Sequence, residues 1–168
     1  MESDPGKRAI LERCLDSLHG ADEIIVVENW KEGYAKPINF GMSQASGDFI
    51  LMTTDDVIWP EISLKAMCDP EAVTSPLVNG QEQPLWGAAF CLPRWVYEKT
   101  GGLFEGYRIS YWDDHDWIKT LEKHNIPFHS VPSIDIQHPE GGRTLHTFPD
   151  HEEFYRENQA LFKSRWSL

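Results

Sequence analysis

The stretch Asn39-Phe-Gly41-Met-Ser-Gln-Ala45-Ser-Gly47-Asp-Phe-Ile-Leu-Met-Thr53-Thr54-Asp55-Asp56-Val57 reads as the end of a helix, a glycine turn, a buried strand and an acidic exit. Phe49, Ile50, Leu51 and Met52 form an apolar run bounded by Gly47 and polar residues, the pattern of a strand covered on both faces. Such a strand delivers Asp55 and Asp56 to its carboxyl end, the edge at which open α/β sheets bind ligands. Two carboxylates there suit a hard divalent cation, and such a cation suits a diphosphate. The same residues also suit a plain turn, since Asp after a strand commonly caps the next element.

The remainder of the chain bounds these readings. Its 168 residues are expected to form one domain over 1–168, long enough for a real core. Aromatics make up 12% of the residues, seven of them Trp, which excludes a disordered chain. No apolar run approaches the roughly 20 residues of a membrane span. Met1-Glu-Ser-Asp-Pro-Gly-Lys-Arg8 carries no signal-peptide apolar region. Cys14, Cys68 and Cys91 lie far apart with no C-x-x-C pair, which fits a reduced, cytoplasmic protein and no disulfide framework or zinc site. The net charge of −12 weighs against a bare nucleic-acid polymer as partner, and none is expected, because phosphate neutralisation needs clustered Lys and Arg. It is compatible with an anionic ligand that arrives with its own metal.

Helical and strand patterns alternate. Ile10, Leu11, Cys14, Leu15 and Leu18 form a helical stripe ending near Gly20, and Glu23-Ile-Ile-Val-Val-Glu28 is expected to be a strand. A helix is expected over 34–46, the strand to Thr53 follows, and a short helix over about 59–67 comes after it. Strands are expected over 72–77 and 86–92, then a helix that starts at Pro93 and stops at Gly101-Gly102. A helix over about 113–124 buries Trp117, Ile118 and Leu121, and 126–136 supplies one or two strands. Asp150-His-Glu-Glu153 reads as a capping box that opens a final helix over about 150–163. Alternating β and α elements imply a mostly parallel sheet covered by helices.

Two further clusters carry possible chemistry. In Tyr111-Trp112-Asp113-Asp114-His115-Asp116-Trp117, three carboxylates crowd into four positions. Repulsion and partial burial raise the pKa of such groups toward the range of a general base. Acids in the first turn of a helix also answer its dipole, and Asp113 is placed as an N-cap. In Ile136-Gln-His138-Pro-Glu-Gly-Gly-Arg143-Thr144, His138 stands where a strand runs out into a glycine-rich loop, well placed to ligate a metal. Arg143 on that loop suits a phosphate clamp.

In order and rough spacing these segments resemble the GT-A glycosyltransferases, specifically the inverting family-2 type. The resemblance runs from about Arg8 to Thr144. It rests on Ile24 to Glu28, on Asn39/Gly41/Ala45/Gly47, on Thr54-Asp55-Asp56-Val57 and on Trp86-Gly87-Ala-Ala-Phe90. It continues through Gly101-Gly102-Leu-Phe, Asp113-Asp114-His-Asp116 and His138.

The resemblance implies a small GT-A, Rossmann-like α/β fold, a nucleotide-diphosphate sugar donor (a UDP-sugar first) and an acceptor hydroxyl, with Mn²⁺ or Mg²⁺ as cofactor. Asp56 looks like the metal-binding acid of a D-x-D motif, with Asp55 beside it contacting ribose or sugar, and His138 resembles the late metal ligand. Asp114 resembles the base that deprotonates the acceptor, with Asp113 and Asp116 supporting it or binding acceptor. Glu28 sits where the family reads the nucleotide base. Asn39 and Arg143 complete the expected donor site.

Several positions depart from that pattern. Met1 to Lys7 is too short and too polar for the family's first strand, Thr54 replaces the first acid of D-x-D, and Glu28 replaces the usual Asp. Ile38 stands where a basic residue commonly precedes the asparagine. A non-catalytic module that keeps the fold and serves as a binding or assembly subunit is therefore the alternative, and a homo-oligomer stays open. A Rossmann-type oxidoreductase is excluded, because no G-x-G-x-x-G follows a strand. Trp86, Tyr107, Tyr111 and Trp112 suit an aromatic platform for a sugar ring, or simply the core.

Overall fold

The computed structural model describes residues 5–29, 32–61, 64–82, 85, 87–138 and 148–168. The elements are α1 (Pro5–Ser17), α2 (Ala35–Gln44), β1 (Phe49–Thr53), a 3₁₀ turn (Leu64–Met67), β2 (Val73–Val78) and β3 (Ala89–Pro93). They continue with α3 (Arg94–Thr100), α4 (Asp113–Lys123), β4 (Phe128–Ile136) and α5 (His151–Trp166). The described strands form one sheet in the order β1-β3-β2-β4. β1 and β2 both pair antiparallel with β3, while β2 and β4 pair parallel. The sheet is thus mixed: β1, β2 and β4 share one direction and only β3 is reversed. The expectation of a mostly parallel sheet holds for strand direction and fails for the pairings that involve β3.

Side-chain alternation explains why β3 sits inside. Phe90 and Leu92 join Ile50, Met52, Val73, Val96, Trp117 and Leu121 on the face covered by α2, α3 and α4. Ala89 and Cys91 point the other way, to Trp59, Leu64, Met67, Ile134 and Ile136. Each large side chain so buried contributes roughly 1.5–3 kcal/mol, and Phe90→Ala would cost about 3–5 kcal/mol through transfer and cavity terms. The β2–β4 ladder slips between Pro76 and Leu77. Pro76 has no N–H to donate, and β4 carries Pro132 at the same level, so an irregularity falls where the pairing is chemically weakest.

α3 ends as its sequence implies: Gly101 adopts φ 77° and donates its N–H to Tyr97 O. Four expectations need correction. Residues 23–29 carry no regular secondary structure and do not join the sheet; Ile24 and Val26 are 49% and 57% exposed. Glu23 is tied to Ser46 and Val27 touches Gly41, so this segment packs on the end of α2 and the turn after it. Its β-branched composition suits a strand, but a strand needs a neighbouring backbone, and among the described residues none pairs with it.

The N-cap of α4 is Trp112, in the left-handed region at φ 71°, so Asp113 is the first helical residue. The capping box at α5 does not form: Asp150 is the N-cap but makes no side-chain cap hydrogen bond. Of the helix expected over 59–67, a 3₁₀ turn over Leu64–Met67 is present.

Candidate active site at the carboxyl edge of the sheet

Because β1, β2 and β4 run the same way, their carboxyl ends bring Asp55–Asp56, Asn79 and His138 to one edge. A two-residue bridge completes the approach. Ile58 and Gln137 exchange both backbone hydrogen bonds at 2.9 Å, latching the exit of β1 to the exit of β4. The carboxylate of Asp56, buried in the turn, then lies 3.4 Å from His138 Nε2. Asn79, in the left-handed region at φ 51°, holds the backbone of His138 from both sides. Its Nδ2 donates to His138 O at 2.6 Å and its Oδ1 accepts His138 N–H at 3.0 Å. Asp55 is half-buried beside it. Burial first, then the charges of Asp55 and Asp56, push the neighbouring Cys14 thiol up to about 11, so it stays protonated.

β3 enters the sheet at this same edge, which places Gly87 there. The Tyr34 hydroxyl donates a hydrogen bond to Gly87 O. A Cβ at Gly87 would stand 3.4 Å from that hydroxyl and 3.9 Å from Asp114 Cβ, so glycine permits this close approach of α2, β3 and α4. Asp113, Asp114 and Asp116 fill the first turn of α4, where the helix dipole favours them.

Their environments differ sharply. Asp113 is buried, and its Oδ2 has no hydrogen-bond partner among the described residues. Burial first, then the charge of Asp114, lifts its carboxyl to about 8. Asp114 is partly open and its Oδ1 accepts from His115 twice, from the backbone N–H at 2.8 Å and at Nδ1 at 2.9 Å. That contact raises the imidazole above its ordinary value. Asp116 is an anchor: its Oδ2 accepts from Tyr107 O–H at 2.8 Å, Arg165 Nε at 2.9 Å and Trp166 Nε1 at 2.8 Å.

The loop before the acids is held by α5 as well. Asn158, 2% exposed, accepts Arg108 N–H with Oδ1. Its Nδ2 donates toward the carbonyls of Arg108, Ser110 and Tyr111. Ile109, Tyr111 and Trp112 all have positive φ (58°, 80° and 71°), rare for bulky residues, and the clamp holds them there. Neither Asn158 nor Asn79 carries a sequence signal, because an asparagine that caps a distant backbone looks like any surface asparagine. His115 beside Asp114 was legible only as one histidine among seven.

One cleft of about 2000 Å³ takes in Asp55, Asp56, His138, Gly87, Asp113, Asp114 and Glu28. That exceeds the roughly 300–1,000 Å³ of ordinary ligand sites. The excess lies where residues 22–29 stand off from β1, since both segments line it. Glu28 is exposed on this wall. Asn39 is turned elsewhere: it accepts Leu103 N–H at 2.8 Å and donates to Leu103 O and Glu105 at 2.8 Å, bracing the Gly101–Leu103 turn. Arg143 and Trp86 lie outside the described residues. Among the described residues no group of three or more His, Cys, Asp or Glu side chains gathers round one cation position.

No family model matches the sequence, and no curated protein is similar to it in sequence. Solved structures share the architecture. The catalytic domain of Drosophila β1,4-galactosyltransferase 7 with xylobiose aligns at TM-score 0.54 and 14% identity, over 76% of this chain and 62% of that one. A mutant of that enzyme with manganese, UDP-Gal and xylobiose aligns at TM-score 0.59 and 15% identity, over 89% and 71%. The chain has the GT-A fold.

A mannosyltransferase from Pyrobaculum calidifontis with GDP-Man and Mn²⁺ shares that fold at TM-score 0.51 and 17% identity, over 84% of this chain and 47% of that one. This GT-A chain thus spans under two thirds of the first of these structures and about half of the mannosyltransferase. Among its described residues no helix is long and apolar enough to cross a membrane.

Proposed function

We propose that this single GT-A domain is a metal-dependent inverting glycosyltransferase that takes a nucleotide-diphosphate sugar, a UDP-sugar first, and an acceptor hydroxyl. The observation that carries the reading is the Asp56–His138 pair lining the same cleft as Asp114. Asp56 and His138 fit the implied cofactor: an oxygen and a nitrogen donor 3.4 Å apart can share an ion whose bonds are about 2.1 Å. They would hold Mn²⁺ or Mg²⁺, which when bound offsets the charge of the diphosphate leaving group. Asp55 contacts ribose or sugar, Glu28 on the opposite wall takes the nucleotide base, and Arg143 takes phosphate. The galactosyltransferase and mannosyltransferase of the same fold bind UDP-Gal, GDP-Man and manganese, which supports the donor class.

The acids divide the acceptor chemistry. Asp113, lifted to about 8, keeps its proton at neutral pH and serves as a donor of a hydrogen bond. Asp114, oriented by His115, removes the acceptor proton as the acceptor oxygen attacks the anomeric carbon. The bond from that carbon to the diphosphate oxygen breaks in the same displacement, and the configuration inverts. Calorimetric titration of UDP, GDP, dTDP and CDP, with and without Mn²⁺, tests this. Selective, metal-dependent binding of one nucleotide that is lost in Asp56→Ala is expected. Binding indifferent to Asp56 and to metal would overturn the site.

A second reading, a non-catalytic GT-A module that binds a partner, is favoured by the exposed Ile24, Ile25 and Val26 and by Asn39 being spent on Leu103. It predicts nucleotide binding without transfer to any acceptor.

A further inference from the structure

The last turn of α1 lies against the turn that carries Asp55 and Asp56 and holds it at both ends. Cys14 and Ser17 stand three positions apart, on one face of the helix, and both are buried. Cys14 Sγ donates to Thr54 O at 3.5 Å, just before the acids. Ser17 Oγ accepts the Trp59 N–H at 3.0 Å, just after them, and gives its own proton to Cys14 O at 2.7 Å. We propose that Cys14 and Ser17 are positioning residues, which hold the 54–59 turn in the shape that offers Asp56 to a divalent cation. The proposal rests on the metal reading of Asp56 and His138 and extends the support of that pair to α1.

The turn has need of such a brace. Its strand side is set by Thr54 N–H on Ala88 O at 2.9 Å and by the Ile58–Gln137 bridge. Its own corner is closed only by a long bond, Val57 N–H to Thr54 O at 3.4 Å. The place of the carboxylates therefore follows from where Thr54 and Trp59 are fixed, and α1 contacts both. Trp59, 3% exposed, also donates from Nε1 to Thr53 Oγ1 at 3.2 Å, so the anchored residue reaches back to the end of β1. A metal ligand serves only when held within about 0.5 Å of its productive position.

The choice of residue supports the assignment. Cys14 O is among the last four carbonyls of α1, which lack a partner farther along the helix. The Ser17 hydroxyl has one proton, and spending it on that carbonyl leaves a lone pair for Trp59 N–H. A buried hydroxyl is costly unless it is hydrogen-bonded, and alanine would serve the helix itself better. The hydroxyl at position 17 is thus accounted for by the link it makes between helix and turn.

Two measurements on Ser17→Ala, Ser17→Thr and Val96→Ala test the brace. The first is hydrogen exchange by mass spectrometry across residues 54–59, referred to β3 in the same protein. The second is calorimetric titration of Mn²⁺ with UDP present. Ser17→Ala is expected to exchange about tenfold faster across the turn, as loss of a buried hydrogen bond implies. It should also bind Mn²⁺ about tenfold more weakly, in line with loss of an outer support at a metal site. Ser17→Thr keeps the hydroxyl and should keep both values near those of the wild-type protein. Val96→Ala thins the core cluster on the other face of the sheet and should leave Mn²⁺ affinity unchanged. Unchanged exchange or unchanged Mn²⁺ affinity in Ser17→Ala overturns the brace, and so does an equal loss of affinity in Val96→Ala. Wild-type protein that binds UDP equally with and without Mn²⁺ sinks the metal reading and the positioning role with it. Metal-dependent binding that Ser17→Ala matches sinks the brace alone.

Discussion

Asn158→Ala removes a buried α5 side chain that hydrogen-bonds the backbone of the loop before the acids. Asn158 Oδ1 accepts Arg108 N–H at 2.9 Å, and Nδ2 faces three carbonyls at 2.9, 2.8 and 3.2 Å. Two amide hydrogens cannot serve three acceptors fully, so the side chain amounts to about three hydrogen bonds. Each contributes a net of about 1 kcal/mol, and leaving the part-buried Arg108 N–H unmatched adds to the loss. The expected destabilisation is therefore about 2–4 kcal/mol, a large share of the roughly 5–15 kcal/mol that holds a domain folded. Release of the left-handed Ile109, Tyr111 and Trp112 returns part of that, since such residues hold of order 1 kcal/mol each.

Asn158→Asp keeps the acceptor for Arg108 but turns a carboxylate toward three carbonyl oxygens, so it should cost at least as much at neutral pH. Urea unfolding at 25 °C measures both, read as a lower midpoint with unchanged slope. A cost below about 0.5 kcal/mol, the range of ordinary surface changes, would refute the reasoning. It would mean that the loop holds its strained backbone without α5.

Three further outcomes follow from the same geometry. Asn79→Ala frees the backbone of His138 and should weaken Mn²⁺-dependent nucleotide binding about 10- to 100-fold in calorimetry, as loss of an outer support does at metal sites. Equal affinity would show that the Ile58–Gln137 latch suffices. Asp114→Asn should leave nucleotide affinity intact while lowering transfer about 10²- to 10⁴-fold in a radiolabelled-sugar assay, and full transfer by the variant would end its assignment as base.

Asp113 gives a pH signature. Its carboxyl moves from 3.8 to about 8 on folding, so the folded chain binds the proton more tightly. That contribution to stability is complete below about pH 4 and is lost as pH rises toward 8. Asp113→Asn should flatten this decline and be the more stable protein above pH 8, by at least about 1 kcal/mol. Parallel stability curves for the two proteins would show Asp113 to be ordinarily ionised.

Much of the fold was legible because burial imposes a period. The runs Phe49–Met52 and Ala72–Leu77 read as strands, and the stripe through Trp117 and Leu121 as a helix, since each face is committed to one cluster. Pro93 and Gly101-Gly102 bounded α3 by their own backbone chemistry. Strand direction was not legible. β3 is as apolar as a parallel strand and covered on both faces, so its composition carries no sign of reversal. Ile24 to Val27 misled for the opposite reason: strand propensity is satisfied only by a neighbouring edge, and among the described residues none pairs with this segment.

At the site, the residue types were readable but their partners were not. Asp56 and His138 stand 82 positions apart and meet only because Ile58 bridges Gln137. Asp116 sits in the same acidic cluster as Asp114 yet is spent on Tyr107, Arg165 and Trp166, a use that depends on residues 49 and 50 positions later.

These anchorages divide the candidate site into two halves held by different forces. The Asp56–His138 half is fixed by backbone hydrogen bonds between the ends of β1 and β4, with Asn79 behind it. The Asp113–Asp114 half is fixed from the other side, by side chains of α5 on Asp116 and on the 108–111 loop. Between the halves, Gly87 and Tyr34 make the only close approach described above. Changes in α5 should therefore act on the acids and the 108–111 loop while leaving the Asp56–His138 pair in place. Changes at the strand ends should do the reverse. The site can lose one half of its chemistry without the other, which is how nucleotide binding would persist in a chain of this fold that no longer transfers sugar.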